Sequence, residues 1–389
     1  MSAVDRYKVF ILAGEASGDA LAAHQMAGLK AMSPDIEFQG VGGPLMMEQG
    51  LKSLFPMEEL SVMGLVEVLP RLPQLLKRIR QTATAVRKFS PDIFITVDAP
   101  DFSSRVARQL KGSDFPKVHY VAPSVWAWRP GRAKKIAGLY DHLLTLLPFE
   151  PPYFEAVGLS ADFVGHSVIE SGADKGDGPA FRARHGIKPD ERLLMLLPGS
   201  RRGEVTRHLP VFKEAVEKLR SDIGAFRIVT PVIGRAGVIV REEVANWDTS
   251  VLVVDGEDEK YDAMAAADLA LAASGTVALE LGLARLPTVI AYRMNAITSW
   301  IARRAVKLDY VNLVNILMGK EVVPEHILEN CTADNLSNAL AELFRSEEKR
   351  HQQIVSYGEA MVMLGEGGEA PGVRAAGIIM ELIARNRTT

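Results

Sequence analysis

Asp98 closes the apolar run Ile93–Val97, and Pro100 halts that run two residues later. A carboxylate at the carboxyl end of a strand can take a proton from a hydroxyl, as a general base does. Asp101, three residues on, reads as the cap of a helix over 103–110. A second polar loop, Gly14-Glu15-Ala16-Ser17-Gly18-Asp19, follows the apolar run Val9–Ala13. It has neither the Lys-Ser/Thr of a P-loop nor GxGxxG spacing, which argues against a dinucleotide. It reads as a turn for a sugar or phosphate, or as a plain helix start.

The strongest anion-binding pattern is LLMLLPGSRRGEVTRHLPVF, residues 193–212. Gly199 and Gly203 let the backbone approach an oxygen cluster, and Ser200 and Arg201 can hydrogen-bond a diphosphate. A partner turn, Ala273-Ser274-Gly275-Thr276, opens a helix, and its small residues favour an anion. Glu280 on that helix can accept hydrogen bonds from both ribose hydroxyls, or be a surface charge. Asn312, Asn315 and Glu321 either complete a nucleotide pocket or cap turns. In residues 119–136, Trp126 and Trp128 flank Ala127 and precede Arg129, Arg132, Lys134 and Lys135. This suits a ligand with a ring and a phosphate, and equally a tryptophan anchor beside a solvated basic helix.

Residues 60–80 carry Met63, Leu65, Val66, Val68, Leu69, Leu72, Leu75 and Leu76, then Lys77, Arg78 and Arg80. Apolar residues beside a basic cluster suit the interface of an anionic bilayer. An ordinary buried helix–loop–helix is the plainer reading, with Pro70 and Pro73 expected to break any single long helix.

These loops need strands to end on and helices to open. Apolar runs at Val9–Ala13, Ile93–Val97, Val118–Val121 and His142–Leu146 alternate with helix-like segments such as 75–89. A second series runs through Leu193–Leu197, Ile228–Val232, Val251–Val254, Leu269–Ala272 and Thr288–Ala291. The rhythm is βαβ, written twice, and predicts two parallel-sheet α/β domains facing a cleft. We expect a first domain over 1–170, an exposed linker over 171–186 containing GADKGDGP, and a second domain over 187–345. Helices over 346–389 complete the chain.

With 389 residues and 48% hydrophobic composition, both domains can bury a core. A net charge of −3 argues against a nucleic-acid binder. Cys331, the single cysteine, allows no intrachain disulfide and no zinc-type cysteine cluster, as suits a reducing cytoplasm. Met1–Lys8 is polar, Val9–Gly14 is too short for a secretory core, and no apolar stretch reaches membrane-spanning length. We expect a soluble or peripheral protein.

The motifs together resemble those of the lipid A disaccharide synthases, inverting glycosyltransferases of Gram-negative outer-membrane biogenesis. The match is carried by AGEASGD (13–19), GVGGPLM (40–46), VMGLVEVLPRLP (62–73), TVDAPDF (96–102), HYVAPSVWAWRPGR (119–132), LPFEPPYF (147–154), FVGHS (163–167), LPGSRRGEV (197–205), ASGTVALE (273–280) and MGKEVVPE (318–325).

The resemblance implies the two-domain GT-B fold, with terminal helices crossing back to the first domain. It implies UDP-2,3-diacylglucosamine as donor and 2,3-diacylglucosamine 1-phosphate as acceptor. The product would be a β-1,6-linked disaccharide 1-phosphate plus UDP. By the resemblance Arg201, Ser274, Glu280 and Asn315 contact the donor, with Ser200, Gly199, Gly275 and Thr276 in the same turns. Asp98 is similar to the family's catalytic aspartate, with Glu15 as a competing base. Ser17, Asp19, Trp126 and Arg129 become acceptor candidates, and Val66, Val68, Leu69, Leu72, Leu75 and Leu76 membrane contacts. The implied enzyme is peripheral on the inner face of the inner membrane, a monomer or an exchanged homodimer. Inverting displacement calls for no metal or other cofactor if arginine stabilises the leaving diphosphate. Two other readings share these motifs: a UDP-N-acetylglucosamine 2-epimerase-like enzyme, and a non-catalytic nucleotide-sugar or lipid-binding protein.

Overall fold

The computed structural model describes residues 6–388 except 61–64, 129, 233, 235 and 295–308, and describes 65–70 by their backbone alone. The chain divides into two units, Met1–Ser167 with Gly367–Thr389, and Val168–Glu366.

The first unit runs β1 (Lys8–Ala13), α1 (Ala16–Met32), β2 (Glu37–Val41), α2 (Pro44–Glu48), β3 (Lys52–Ser53), α3 (Leu65–Phe89), β4 (Ile93–Val97), α4 (Pro100–Gln109), β5 (Lys117–Tyr120), α5 (Arg132–Ala137), β6 (His142–Thr145), α6 (Pro151–Glu155) and β7 (Ser160–Phe163). Its strands form one seven-stranded sheet in the order β3-β2-β1-β4-β5-β6-β7, paired in parallel. Helices cover both faces. Val9, Ile11 and Ala13 of β1 enter one core cluster, while Phe10 and Leu12 enter the other. Side chains alternate across a strand, so a strand covered on both sides must be apolar throughout. That is why β1 from Val9 onward and, apart from Thr96, β4 are legible as apolar runs.

The second unit runs α7 (Gly178–Arg184), β8 (Leu193–Leu197), α8 (Arg202–Ile223), β9 (Arg227–Val232), α9 (Ala236–Val244), β10 (Val251–Asp255), α10 (Glu257–Ala266), β11 (Leu269–Ala273), α11 (Val277–Leu283), β12 (Thr288–Tyr292), α12 (Leu313–Met318), β13 (Glu325–Ile327), α13 (Ala333–Arg345) and α14 (Glu347–Met363). Its six-stranded sheet has the order β10-β9-β8-β11-β12-β13. The last helix, α15 (Pro371–Thr388), belongs to the first unit.

Both sheets reverse direction at their first strand, between β1 and β4 and between β8 and β11. In an open parallel sheet a ligand binds outside the carboxyl ends at such a point, where the two crossovers leave in opposite directions. The four loops that line these points are Gly14–Asp19, Asp98–Pro100, Pro198–Glu204 and Ser274–Thr276. They are the loops whose residue types suggest chemistry.

Three expectations change. The GADKGDGP segment is packed, not an open linker. A Cβ on Gly176 would sit 2.0 Å from the Tyr261 carbonyl, and one on Gly178 would sit 2.4 Å from that of Ala265. The glycines are there because the segment lies against the backbone of α10. Asp177 N–H donating to Asp262 at 2.7 Å pins it further.

Second, the helical tail does not return as one block from residue 346. Tyr357 and Met361 of α14 pack on Gly282 of α11, at 3.3 and 3.2 Å from where a Cβ would stand. α15 instead belongs to the first unit and packs along α1, where Gly28 lies opposite Gly372 and Ala376. A Cβ on Gly372 would come within 2.8 Å of the His24 backbone, so this helix pair approaches closely only with glycine there.

Third, α3 is a single helix through Pro70 and Pro73. Each proline forfeits one N–H bond near the amino end, where Pro73 is exposed. Ile79, Ala83 and Val86 anchor the carboxyl half in the core.

Candidate active site

The first-unit loops meet through the β1–β4 pairing, which sets Ala13 beside Val97. The next residues, Gly14 and Asp98, therefore leave adjacent strand ends. A Cβ on Gly14 would stand 2.6 Å from that of Ala99, and one on Gly18 3.7 Å from that of Asp98. Gly14 and Gly18 serve this close approach.

Asp98 and Ala99 both hold a left-handed backbone, φ 53° and 46°, and Val121 on the neighbouring strand end has φ 81°. For a β-branched residue such a φ is strained, and strain of this kind persists only where surrounding structure enforces it. The Asp98 backbone is held by N–H donation to the Tyr120 carbonyl at 3.0 Å and by the Ser103 hydroxyl donating to its carbonyl at 2.9 Å. Its Oδ1 accepts the Ala99 N–H at 2.8 Å. The side chain is half-buried. Asp101, expected to cap α4, instead lies exposed in its first turn, and Ala99 holds the cap position.

Beneath Asp98 is a buried group that sequence reasoning missed. The Thr96 hydroxyl lies 2.7 Å from His119 Nδ1, and the His119 ring stacks on Tyr140 at 4.9 Å. Burial lowers the His119 pKa to about 4, so the ring is neutral. Polar residues inside otherwise apolar strands were the available signal.

Asp19 is corrected. It is buried, and its carboxylate accepts N–H groups of Gly43, Leu45 and Met46 at 2.8, 3.0 and 3.1 Å. It caps α2, whose first amides have no partner within the helix, and is spent on that. Glu15 is half-buried at the α1 cap position, and Ser17 is exposed. Trp126 donates its indole N–H to Glu150 at 3.1 Å and meets Phe149 edge-on at 5.2 Å. Burial raises Glu150 to about pKa 7. Arg129 lies outside the described residues.

In the second unit the loops after β8 and β11 enclose a cavity of about 420 Å³, a size suited to a small-molecule ligand. Gly199, Ser200, Arg201, Ser274, Gly275 and Thr276 line it on one side. Apolar residues from the end of β9 and from α9, including Val232 and Val240, line the other. Arg201 is 65% exposed, and its guanidinium donates to Glu204 Oε1 at 3.3 Å. A Cβ on Gly275 would meet nothing within 4 Å, so the backbone there is bare.

Glu280 is fixed by a residue the sequence did not reveal. Lys260, 6% exposed, donates to both Glu280 oxygens at 3.0 and 2.9 Å. Nothing in EDEKYD marks this lysine, because its partner lies 20 residues on in α11. Glu204 occupies the facing turn. Its Oε2 accepts the Ser200 and Arg201 N–H groups, both at 3.3 Å, so a carboxylate already rests on the turn expected to take phosphate oxygens. It fits because Gly199 has no Cβ, which would stand 2.7 Å from that of Glu204.

His208 fixes the same turn from below. Its Nδ1–H donates to the Pro198 carbonyl at 2.8 Å, and its Nε2 accepts the Arg293 N–H at 2.9 Å. Burial lowers its pKa, which favours the neutral ring both bonds require.

Asn315 is also corrected. It is fully buried, donating to the Val323 carbonyl and to Glu325 and accepting from Val322 N–H and Val323 N–H. Those four bonds exhaust its amide. It shapes the 315–325 turn and lines no part of the 420 Å³ cavity. Asn312 caps α12 through Val314 N–H at 2.8 Å.

The model of the lipid-A-disaccharide synthetase family matches residues 9–367. The chain is 51% identical to the lipid-A-disaccharide synthase of Rhodospirillum centenum, covering 97% of this chain and 95% of that one. The chain belongs to the lipid-A-disaccharide synthase family. The synthase of Ruegeria pomeroyi is 49% identical, over 96% of this chain and 95% of that one.

Family membership makes this a glycosyltransferase of lipid A biosynthesis acting on UDP-sugar and lipid substrates. Solved structures extend the likeness of fold. A UDP co-structure of S. aureus MnaA has a TM-score of 0.66 at 14% identity, over 98% of this chain and 97% of that one. MurG of Acinetobacter baumannii has a TM-score of 0.58 at 12% identity, over 98% and 99%. The two parallel-sheet domains are thus of the GT-B kind. Relatives named as synthases outweigh the epimerase reading, which rests on fold alone.

Proposed function

We propose that the second-unit cavity holds the UDP of UDP-2,3-diacylglucosamine. Asp98 then activates the 6-hydroxyl of 2,3-diacylglucosamine 1-phosphate. The observation that carries this reading is Asp98 itself, a half-buried carboxylate held at left-handed φ at a topological switch point, with two glycines admitting a neighbouring loop. Asp98 takes the hydroxyl proton as the oxygen attacks the anomeric carbon. The bond to the diphosphate breaks on the opposite face, which inverts the configuration and releases UDP. Arg201 and the bare backbone at Gly275 stabilise the departing diphosphate, and no step calls for a metal. Glu280, steadied by Lys260, is the group for the ribose hydroxyls. A diphosphate entering the 199–201 turn displaces Glu204 from the amides.

Following UDP release with donor alone and with donor plus acceptor tests the reaction. We expect release only when both are present. Release from donor alone at the same rate would sink the transfer reading. Arg201→Ala is expected to weaken UDP binding by about tenfold, an exposed but charge-assisted contact. Unchanged affinity by titration calorimetry would remove Arg201 from the diphosphate.

We further propose peripheral membrane contact through α3. No helix among the described residues is long and apolar enough to cross a membrane. Leu72 and Leu76, one turn apart, are exposed, and Leu75 is half-buried. Arg71, Lys77 and Arg80 are exposed around them. Arg78 leaves the expected basic cluster, since it pairs with Glu59 at 2.7 Å and lies over the Phe55 ring at 4.5 Å. The side chains of Val66, Val68 and Leu69 lie outside the described part of the structure. Converting Leu72 and Leu76 to serine should lower co-sedimentation with anionic vesicles by about tenfold or more. Undiminished co-sedimentation would exclude these leucines as the anchor.

A further inference from the structure

Arg105 and Arg108 stand three residues apart on α4, and Arg132 and Lys135 stand three apart on α5. Residues at that spacing share a helix face, and all four line one cavity of about 680 Å³ within the first unit. Among the described residues, Asp101 is the one carboxylate that lines it. Among the described residues, none of the four cations makes an ion pair or hydrogen bond; Arg132 only lies over the Trp128 ring, at 5.3 Å. This sets them apart from Arg78, Arg182, Arg184 and Arg285, each of which is tied to a carboxylate.

Like charges gathered around one cavity repel each other, and the cost falls when an anion sits between them. The cavity also has an address. Its rim includes Pro100 and Pro123, which follow the strained pair Asp98-Ala99 and the strained Val121 at the carboxyl ends of β4 and β5. A groove that begins beside the proposed base and runs between two pairs of cations suits a ligand with its hydroxyl at one end and its anion at the other.

We propose that this α4–α5 cavity binds a phosphate group carried on a lipid, received by Arg105, Arg108, Arg132 and Lys135. Two sources share that chemistry: the 1-phosphate of the acceptor, and the headgroup of an anionic phospholipid. The first source rests on the reading of Asp98 as base for a phosphorylated acceptor. The second does not.

The test uses the full chain with two double variants, Arg105→Gln with Arg108→Gln, and Arg132→Gln with Lys135→Gln. All four positions lie at least partly exposed, and a wild-type circular dichroism spectrum and denaturation curve serve as the check that each variant is folded. Equilibrium binding is measured without donor, to 2,3-diacylglucosamine 1-phosphate in neutral detergent micelles and to its 1-dephospho analogue. Co-sedimentation is measured with phosphatidylcholine vesicles with and without phosphatidylglycerol. We expect each pair to cost about tenfold in binding the phosphorylated probe, after allowing for exposure. Loss confined to the 1-phosphate ligand assigns the cavity to the acceptor. Loss confined to phosphatidylglycerol vesicles assigns it to a membrane headgroup. Wild-type binding to both probes by both variants overturns the proposal. Because the binding arm needs no turnover, failure of Asp98 as base would show in the transfer assay and leave this result readable.

Discussion

Asp98→Asn is expected to reduce sugar transfer by about a hundredfold or more while leaving UDP affinity within about twofold of wild type. The substitution is mild for the fold. Asn and Asp tolerate a left-handed backbone better than other non-glycine residues, and the side-chain oxygen that accepts the Ala99 N–H is kept. What is lost is the capacity to hold a proton. UDP affinity is the control, because the proposed UDP cavity is built wholly from second-unit residues. Glu15→Gln is the companion measurement, since Glu15 sits in the loop that Gly14 and Gly18 bring against Asp98. If Asp98 is the base, Glu15→Gln retains most of the turnover. Near-normal turnover in Asp98→Asn, with collapse in Glu15→Gln, would transfer the role to Glu15.

Lys260→Met should be the most damaging change in the second unit. Lys260 and Glu280 form a pair with side-chain exposures of 8% and 20%, and the lysine satisfies both carboxylate oxygens. Removing one partner of such a pair leaves a desolvated charge, at a cost of about 3 kcal/mol. Chemical denaturation should register that loss. Calorimetry should register UDP binding weaker by about tenfold, because the carboxylate no longer has a fixed direction. The double variant Lys260→Met with Glu280→Leu should regain much of the stability without regaining affinity. A single Lys260→Met variant with wild-type stability and affinity would refute both the pair's contribution and its service to the ligand.

The sequence by itself determined the two sheets and the loops at their switch points. Central strands buried on both faces are apolar almost from end to end, as Val9–Ala13, Leu193–Leu197, Leu269–Ala273 and, apart from Thr96, Ile93–Val97 are. The residue after such a run stands at a carboxyl end. Asp98, the Gly14–Asp19 turn, Ser200-Arg201 and Ser274–Thr276 are therefore placed by chain order alone. The edge strands β3, β7 and β13 escaped because they are short and carry polar residues. β2 escaped too, with Glu37, Gln39 and Gly40 interrupting its apolar pattern.

Only the tertiary structure decided which polar residues remain available to a ligand. Asp19 and Asn315 have side chains as well suited to binding as those of Asp98 and Glu280. Yet Asp19 is claimed by the amides of α2, more than 20 residues away, and Asn315 by the 322–325 turn. Lys260, unremarkable in its own segment, acquires a role because α10 and α11 set it against Glu280. Arg105 and Arg108 meet Arg132 and Lys135 only because β4 and β5 are neighbours and their helices lie on one face. A hydrogen bond or an ion pair is settled by distance in space. The chain order gives each residue its chemistry, and the fold determines whether that chemistry is already satisfied.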